Sequence, residues 1–211
     1  MIDNHYFKKF LQTITDEILI EYRSRSGGCL VQRIIAADSK SIYWDKFINN
    51  SLEDNIDPLY WPNKGFRPQI PHSVTPENQV KYTCHTGGSM LHTGEQKELI
   101  GILTLRRQAK KANKKLLLRS HHQLRKYNKN MTIINIVGNK QQLGRKIQKS
   151  EEFFKPVEEH NTHNLNINKL VSEDYNLFLN EYTNLCKFLD IKMNITIVKN
   201  FIDIWRIKQK A

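Results

Sequence analysis

Apolar residues recur at three- and four-residue steps near the start of the chain, which predicts an amphipathic helix over residues 5–23. The paired glycines of segment 24–28 are expected to end this helix. Segment 29–37 is short, apolar and partly β-branched, so it is predicted to form a partly buried strand. A second short helix is expected to start within residues 41–47.

Five of the six prolines lie between Pro58 and Pro76. Proline fixes φ and lacks an amide donor, so this stretch is predicted to be an extended connection. It divides the chain into an N-terminal helix–strand segment (1–57), the proline-rich connection (58–76) and a basic helical region with a C-terminal α/β segment (77–211). Residues 77–211 either stand alone or form one domain with residues 1–57.

Helix and strand patterns alternate after the prolines. The predicted elements are a short helix over 75–85, a long helix over 94–127, a strand over 131–137, a helix over 140–155, a loop over 160–168, a helix over 171–189 and a strand over 194–198. Together they predict a helix-rich α+β fold, in which a long basic amphipathic helix packs on a small mixed core with short strands.

The net positive charge is confined to one quarter of the chain. Residues 99–150 hold fourteen Lys and Arg and no Asp or Glu. Since the whole chain has 33 basic and 21 acidic residues, 19 basic and 21 acidic residues lie elsewhere, a net of −2 against +12 overall. A field this concentrated indicates a polyanionic partner, and nucleic acid is the commonest one.

On a helical wheel, the cations of the predicted long helix fall on one face and its apolar residues on the other. A row of cations matches the repeating phosphates of a nucleic acid and releases condensed counterions. Lysines without a base-reading set suit contact with the backbone rather than sequence recognition. The candidate nucleic-acid-binding residues are Arg106, Arg107, Lys110, Lys111, Lys114, Lys115, Arg119, His122, Arg125, Lys126, Lys129, Lys140, Arg145 and Lys146.

We therefore expect a non-enzymatic nucleic-acid-binding protein, associated with RNA in preference to DNA, such as a structural component of the ribosome or of another ribonucleoprotein. Other proteins of such an assembly are further expected partners, whereas no cofactor and no membrane is expected. The alternatives are a DNA-binding protein, a solvated basic surface helix, a helix lying on anionic lipid and a protein-interaction module.

Two groups of residues suggest other chemistry. Cys84, His85 and His92 could supply metal ligands, although their spacing matches no standard zinc pattern and incidental histidines at helix ends are the simpler interpretation. His121 and His122 are candidate general bases for phosphodiester cleavage. A nuclease or other phosphate-transforming enzyme that uses either group is therefore an alternative function, although no catalytic residue is assigned.

The strand–turn–helix pattern around Gly138 resembles the start of a nucleotide-binding unit, but it lacks both GxxxxGK[ST] and GxGxxG. The N-terminus of the helix expected after it could still receive a phosphate.

Three sparse cysteines without a CxxC pair fit a reducing compartment. No apolar run is long enough to cross a bilayer, and the N-terminus lacks the pattern of a secretory signal. We expect an intracellular protein of the cytoplasm or an organelle matrix, encoded by an AT-rich genome.

Overall fold

The computed structural model describes residues 5–23, 26–36, 42–43, 90–91, 96–139, 153–192 and 194–210. The strands there are β1 (Ile18–Glu21), β2 (Ile42–Tyr43), β3 (Met90–Leu91), β4 (Lys115–Ser120), β5 (Thr132–Val137) and β6 (Thr162–Asn166). The helices are α1 (His5–Gln12), α2 (Gly28–Ala36), α3 (Gln96–Lys111), α4 (Ile167–Leu170), α5 (Tyr175–Leu189) and α6 (Ile195–Lys210), with a 3₁₀ turn at Arg125–Tyr127.

These strands form one parallel sheet in the order β2–β4–β1–β5–β6, and β3 also pairs with β4. Strand β1 lies at the centre, where Ile18 is opposite Leu117 of β4 and Thr132 of β5. The architecture is therefore a mixture of helices with a parallel sheet. Because helices cover both faces of such a sheet, its central strands are continuously apolar rather than alternating.

The sheet separates two hydrophobic clusters. Successive side chains of a strand point to opposite faces. Ile18 and Ile20 of β1 accordingly pack with α2, α5 and α6, whereas Leu19 packs with α1 and α3. We call these the α2 face and the α3 face of the sheet.

The predicted helix over residues 5–23 is wrong beyond Gln12, where α1 ends. Ile18 and Tyr22 are four residues apart, which satisfied a helical pattern. Ile18, Ile20 and Tyr22 also occupy every second position, as on one face of a strand, and all three are buried on the α2 face. The pattern was ambiguous, and parallel pairing on both edges of β1 decides it in favour of a strand.

The predicted strand over residues 29–37 is also wrong, because this segment forms helix α2. The paired glycines precede α2 rather than ending α1. A chain leaving a parallel strand must cross over before it can pair again, and a helix is the usual crossover. Leu30, Val31, Ile34 and Ile35 have the spacing of a helical stripe and are buried on the α2 face.

The predicted long basic helix over residues 94–127 is broken after Lys111. Asn113 adopts a left-handed conformation with φ of 52°, which turns the chain. The next apolar residues are Leu116 and Leu118 on the α3 face and Leu117 on the α2 face. Leucines that alternate between two opposite faces require a strand, since in a helix Leu116 and Leu118 would lie about 200° apart and could not share a face.

The C-terminal predictions have mixed outcomes. The strand over 131–137 is confirmed as β5, and the helix over 171–189 is confirmed as α5, which starts at Tyr175 with Asp174 as its N-cap. The loop over 160–168 is wrong, because it contains β6 and the start of α4. The strand over 194–198 is wrong, since it is the beginning of α6.

Other predictions fall wholly or partly on residues that the structure does not describe. The predicted helix over 41–47 is described only at Ile42–Tyr43, which forms β2. The proline-rich connection, the helix over 75–85 and most of the helix over 140–155 lie outside the described residues. Within the described ranges, the helices are too short or too polar to span a bilayer.

His163 of β6 makes the stability of this fold dependent on pH. Its ring stacks on Phe188 with centroids 5.3 Å apart, and its buried Nε2 has no hydrogen-bond partner among the described residues. Burial lowers the pKa of His163 below its ordinary value of 6.5. On acidification, the unfolded chain therefore takes up a proton before the folded chain does, so stability falls as the pH drops below 6.5.

We expect thermal unfolding midpoints of the wild-type chain to fall more between pH 7.5 and 5 than those of a His163→Phe variant. Phenylalanine keeps the ring contact with Phe188 and cannot take up the proton. Parallel pH dependences of the two proteins would contradict this prediction.

Candidate functional site

The connections that follow β1 and β4 leave the sheet on opposite faces. After β1 the chain enters α2 on the α2 face. After β4 it turns to the α3 face, where Leu124 is buried. When neighbouring parallel strands have connections that diverge in this way, a crevice opens at their carboxyl ends, which is the usual ligand position in open parallel sheets.

A pocket of about 200 Å³ lies at this point. Its lining residues come from the segment after β1, the segment after β4 and the segment before β6; they are Arg23, His121, His122, Gln123, Leu124, Lys126, Tyr127 and Phe154. Four of these eight residues carry or can acquire a positive charge, and none is Asp or Glu. The guanidinium carbon of Arg23 lies 4.5 Å from the centroid of the Phe154 ring. The crevice therefore favours an anion with a planar or apolar part.

His121 is held against the end of β1. Its Nδ1 lies 3.3 Å from the backbone oxygen of Tyr22, and the two rings are 4.4 Å apart between centroids. A carbonyl oxygen only accepts hydrogen bonds, so in this contact Nδ1 carries the hydrogen. In the neutral ring, Nε2 then carries the lone pair and is the atom that can accept a proton.

The start of α2 packs tightly against Tyr22, which directly follows β1. A Cβ atom at Gly28 would lie 2.3 Å from the buried ring of Tyr22, and Gly27 has a φ of 91°. Ser26 donates to the backbone oxygen of Arg23 through both its amide (3.0 Å) and its hydroxyl (2.7 Å). These constraints bring Arg23 close to the N-terminus of α2, whose first amides have no partner within the helix and attract anions.

A buried carboxylate fixes the segment that follows β4. Glu21, at the end of β1, is 0% exposed. Its Oε1 accepts from the amides of Leu124 (2.5 Å) and Arg125 (3.0 Å), and its Oε2 accepts from Arg125 Nη1 at 2.6 Å. Burial raises the pKa of Glu21, and the hydrogen bonds and positive charge of Arg125 oppose that rise. The pair holds the turn that carries His121 and Lys126.

A similar arrangement lies just before β1, at the opposite edge of the sheet. Glu17 accepts from the amides of Thr15 (3.1 Å) and Asp16 (3.2 Å) and forms an ion pair with Arg106. Arg106 also donates to the hydroxyl oxygen (2.9 Å) and backbone oxygen (2.8 Å) of Thr13. Glu17 is therefore a matched control for Glu21, with the same chemistry far from the crevice.

The predicted nucleic-acid-binding residues do not form one continuous face. Arg119 and Arg125 are buried, at 2% and 9% exposure, and Arg106 is paired with Glu17. The others that the structure describes lie in three places: Arg107, Lys110, Lys111, Lys114 and Lys115 around the end of α3, His122 and Lys126 at the crevice, and Lys129 before β5. Lys140, Arg145 and Lys146 lie outside the described residues.

The structure describes none of Cys84, His85 and His92, the candidate metal ligands. In the part of the chain that it does describe, no three His, Cys, Asp or Glu side chains are grouped to hold a metal ion. At the end of β5, the amide of Asn139 donates to Asn168 Oδ1 at 2.6 Å, so that amide already has a partner.

Sequence reasoning found His121, His122 and Lys126 but missed Arg23 and Glu21, because it assigned both to a helix. The sequence does contain a pattern that predicts the position of Arg23 and Glu21. The run ILIE followed by paired glycines and a second apolar segment is a strand–loop–helix pattern, in which polar residues after the strand lie at its carboxyl end.

Comparison with protein-family models, curated proteins and solved structures gives no match. The chemistry of the crevice is therefore inferred from its own residues.

Replacing Glu21 by Gln should loosen the turn after β4. Glutamine cannot neutralise Arg125, and breaking a buried ion pair costs about 3 kcal/mol of unfolding free energy. We expect faster hydrogen exchange in residues 121–127 of Glu21→Gln, measured by mass spectrometry.

Glu17→Gln should accelerate exchange around residues 13–17 and leave residues 121–127 unchanged. Equal effects of the two substitutions on residues 121–127 would show that Glu21 has no local role.

Proposed function

We propose that the crevice binds a phosphate-bearing small molecule of the nucleotide class. The observation that carries this proposal is the divergence of the connections after β1 and β4, with Arg23, His121, His122 and Lys126 around the opening. Open parallel sheets bind their ligands at such points, and nucleotides are frequent among those ligands.

The charge of the crevice supports a phosphate group. Arg23 offers a planar fork of donors that matches phosphate oxygens, and Lys126 adds a mobile point charge. The backbone oxygen of Arg23 also accepts from Ser26, two residues before α2, and the N-terminus of a helix favours negative charge. Because none of the described residues that line the pocket is acidic, none of them opposes a multiply charged anion.

Aromatic rings in the same crevice support the nucleotide class over free phosphate. Tyr127 and Phe154 line the pocket beside the cations. The Arg23 guanidinium lies over the Phe154 ring, which is 6% exposed, so a base or another planar group would stack on the outer face of that guanidinium and against the partly exposed Tyr127. A ligand with both an anionic end and a flat end uses both kinds of lining residue.

A second candidate function, a phosphate-transforming enzyme, is favoured by the geometry of His121. The backbone oxygen of Tyr22 orients the ring through Nδ1, so Nε2 can accept a proton from an attacking hydroxyl or water. Arg23 and Lys126 could then stabilise negative charge that develops on phosphoryl oxygens. This candidate assigns His121 the role of general base.

Calorimetric titration with adenosine diphosphate, pyrophosphate and inorganic phosphate tests ligand binding. We expect one site per chain, with tighter binding of adenosine diphosphate than of phosphate. Arg23→Gln should weaken binding at least tenfold, equivalent to about 1.4 kcal/mol. Arg107→Gln is the control, because Arg107 is also exposed and lies on α3, outside the crevice lining.

Absence of binding by the wild-type chain would overturn the proposal. So would equal weakening by Arg23→Gln and Arg107→Gln, since that would indicate a general charge effect.

His121→Gln separates binding from catalysis. Loss of a general base typically reduces the rate by about 10²- to 10⁴-fold, whereas Arg23 and Lys126 remain to bind the phosphate. We expect this variant to bind adenosine diphosphate with near wild-type affinity and to lose turnover of radiolabelled nucleoside triphosphate. If the wild-type chain binds but turns nothing over, the enzyme candidate fails and the binding proposal stands.

A non-enzymatic, RNA-associated role through residues 99–150 stays a prediction. The crevice uses only part of that basic segment, and the cations at the end of α3 have no part in it.

A further inference from the structure

We propose that the turn between α3 and β4 is a docking surface for the phosphodiester backbone of nucleic acid, separate from the crevice. The turn carries Lys110, Lys111, Lys114 and Lys115, which we call the lysine turn. It lies at the amino end of β4, whereas the crevice lies at the carboxyl end. Six strand residues separate them, about 20 Å at 3.3 Å per residue.

The backbone of the lysine turn is fixed by its own hydrogen bonds. The amide of Asn113 donates to the oxygen of Lys110 at 3.1 Å, and the amide of Lys114 donates to the oxygen of Ala109 at 3.0 Å. On the inner side, Leu105, Ala109 and Leu116 are buried on the α3 face. The lysines therefore project from a rigid base and contribute little to the core.

The charge of three lysines in the lysine turn is not offset by ion pairs among the described residues. Lys110, Lys111 and Lys115 are exposed and form no ion pair within the described part of the chain. Arg107, one helical turn earlier, is exposed as well. Extending the β1–β4 register from Ile18 and Leu117 places the exposed Asp16 opposite Lys115, whereas the next acid, Glu17, is paired with Arg106.

The helix dipole of α3 explains the position of only two of the four lysines in the lysine turn. Cations are favoured in the last turn of a helix, where Lys110 and Lys111 lie. Lys114 and Lys115 follow the end of α3, and Lys115 already belongs to β4. Like charges held this close repel one another, and a polyanion relieves the repulsion while it releases counterions.

The chemistry of the lysine turn favours nucleic acid over an anionic membrane. Lysines are point charges that suit repeating phosphates without reading bases. A membrane-binding surface needs bulky apolar side chains beside its cations. The exposed large apolar residues of the described chain are Leu103, Tyr175 and Leu177, and none of them belongs to the turn.

Charge reversal tests the proposal in the full chain. The test variant is Lys110→Glu, Lys111→Glu, Lys114→Glu and Lys115→Glu combined. The control variant reverses four exposed lysines on other elements, namely Lys169, Lys187, Lys192 and Lys199. Both variants lower the net charge by 8, from +12 to +4, so a general charge effect would be equal in the two.

Binding is measured by fluorescence anisotropy with single-stranded RNA, single-stranded DNA and duplex DNA between 50 and 200 mM KCl. For four phosphate contacts, log K should fall with log salt with a slope of about −3 on single strands. We expect the test variant to lose at least tenfold in affinity and most of this slope, and the control variant to stay within about threefold of wild type.

A second variant with Gln at the same four positions tests the proposal independently if charge reversal disturbs the fold. It removes the four charges without reversing them and should also weaken the binding of nucleic acid. Equal losses in the test and control variants would overturn the proposal. So would unchanged binding in either test variant, or binding to phosphatidylserine vesicles without binding to nucleic acid. Pyrophosphate titration of the same variants reports on the crevice and should be unaffected.

Discussion

The structure depends on the burial of β1 between two parallel neighbours. Its four residues pair with β4 on one edge and β5 on the other, and its two faces carry the two hydrophobic clusters. Parallel neighbours cannot be joined by a tight turn, so each connection must cross a face of the sheet. α2 follows β1 on one face, and the segment after β4 covers the other. The divergence that forms the crevice is thus a consequence of how β1 is buried.

A buried glutamate lies at each end of β1: Glu17 just before it and Glu21 as its last residue. An isolated carboxylate there would be costly, and each is instead satisfied by two backbone amides and one arginine. Exclusion of water strengthens such contacts, which then hold in place the loops from which the amides come. Glu17 with Arg106 fixes the chain before β1, and Glu21 with Arg125 fixes the segment that carries His121. Two arginines of the basic segment, Arg106 and Arg125, are therefore paired with the protein's own carboxylates.

The basic segment is divided by the sheet into surfaces with different chemistry. Three consecutive leucines place β4 in the interior, with lysines at its amino end and histidines at its carboxyl end. The lysine turn carries four lysines and no acid, which suits an extended polyanion. The crevice is concave, combines cations with aromatic rings and suits a small ligand. We infer two anion sites at opposite edges of the sheet, where the sequence alone indicated one continuous face.

The sequence by itself determined the apolar segments, the basic segment without acids, and the elements whose pattern had one interpretation, namely β5 and α5. It also predicted His122 and Lys126 as anion-binding residues and His121 as a candidate general base, and all three line the crevice. Only the tertiary structure decided that residues 18–21 and 115–120 are strands and that residues 28–36 are a helix. The physical reason is that a strand buried on both faces of a parallel sheet loses the alternation that distinguishes it from a helix. Pairing partners, which are distant in sequence, decide between the two and so bring Arg23 and His121 into one crevice.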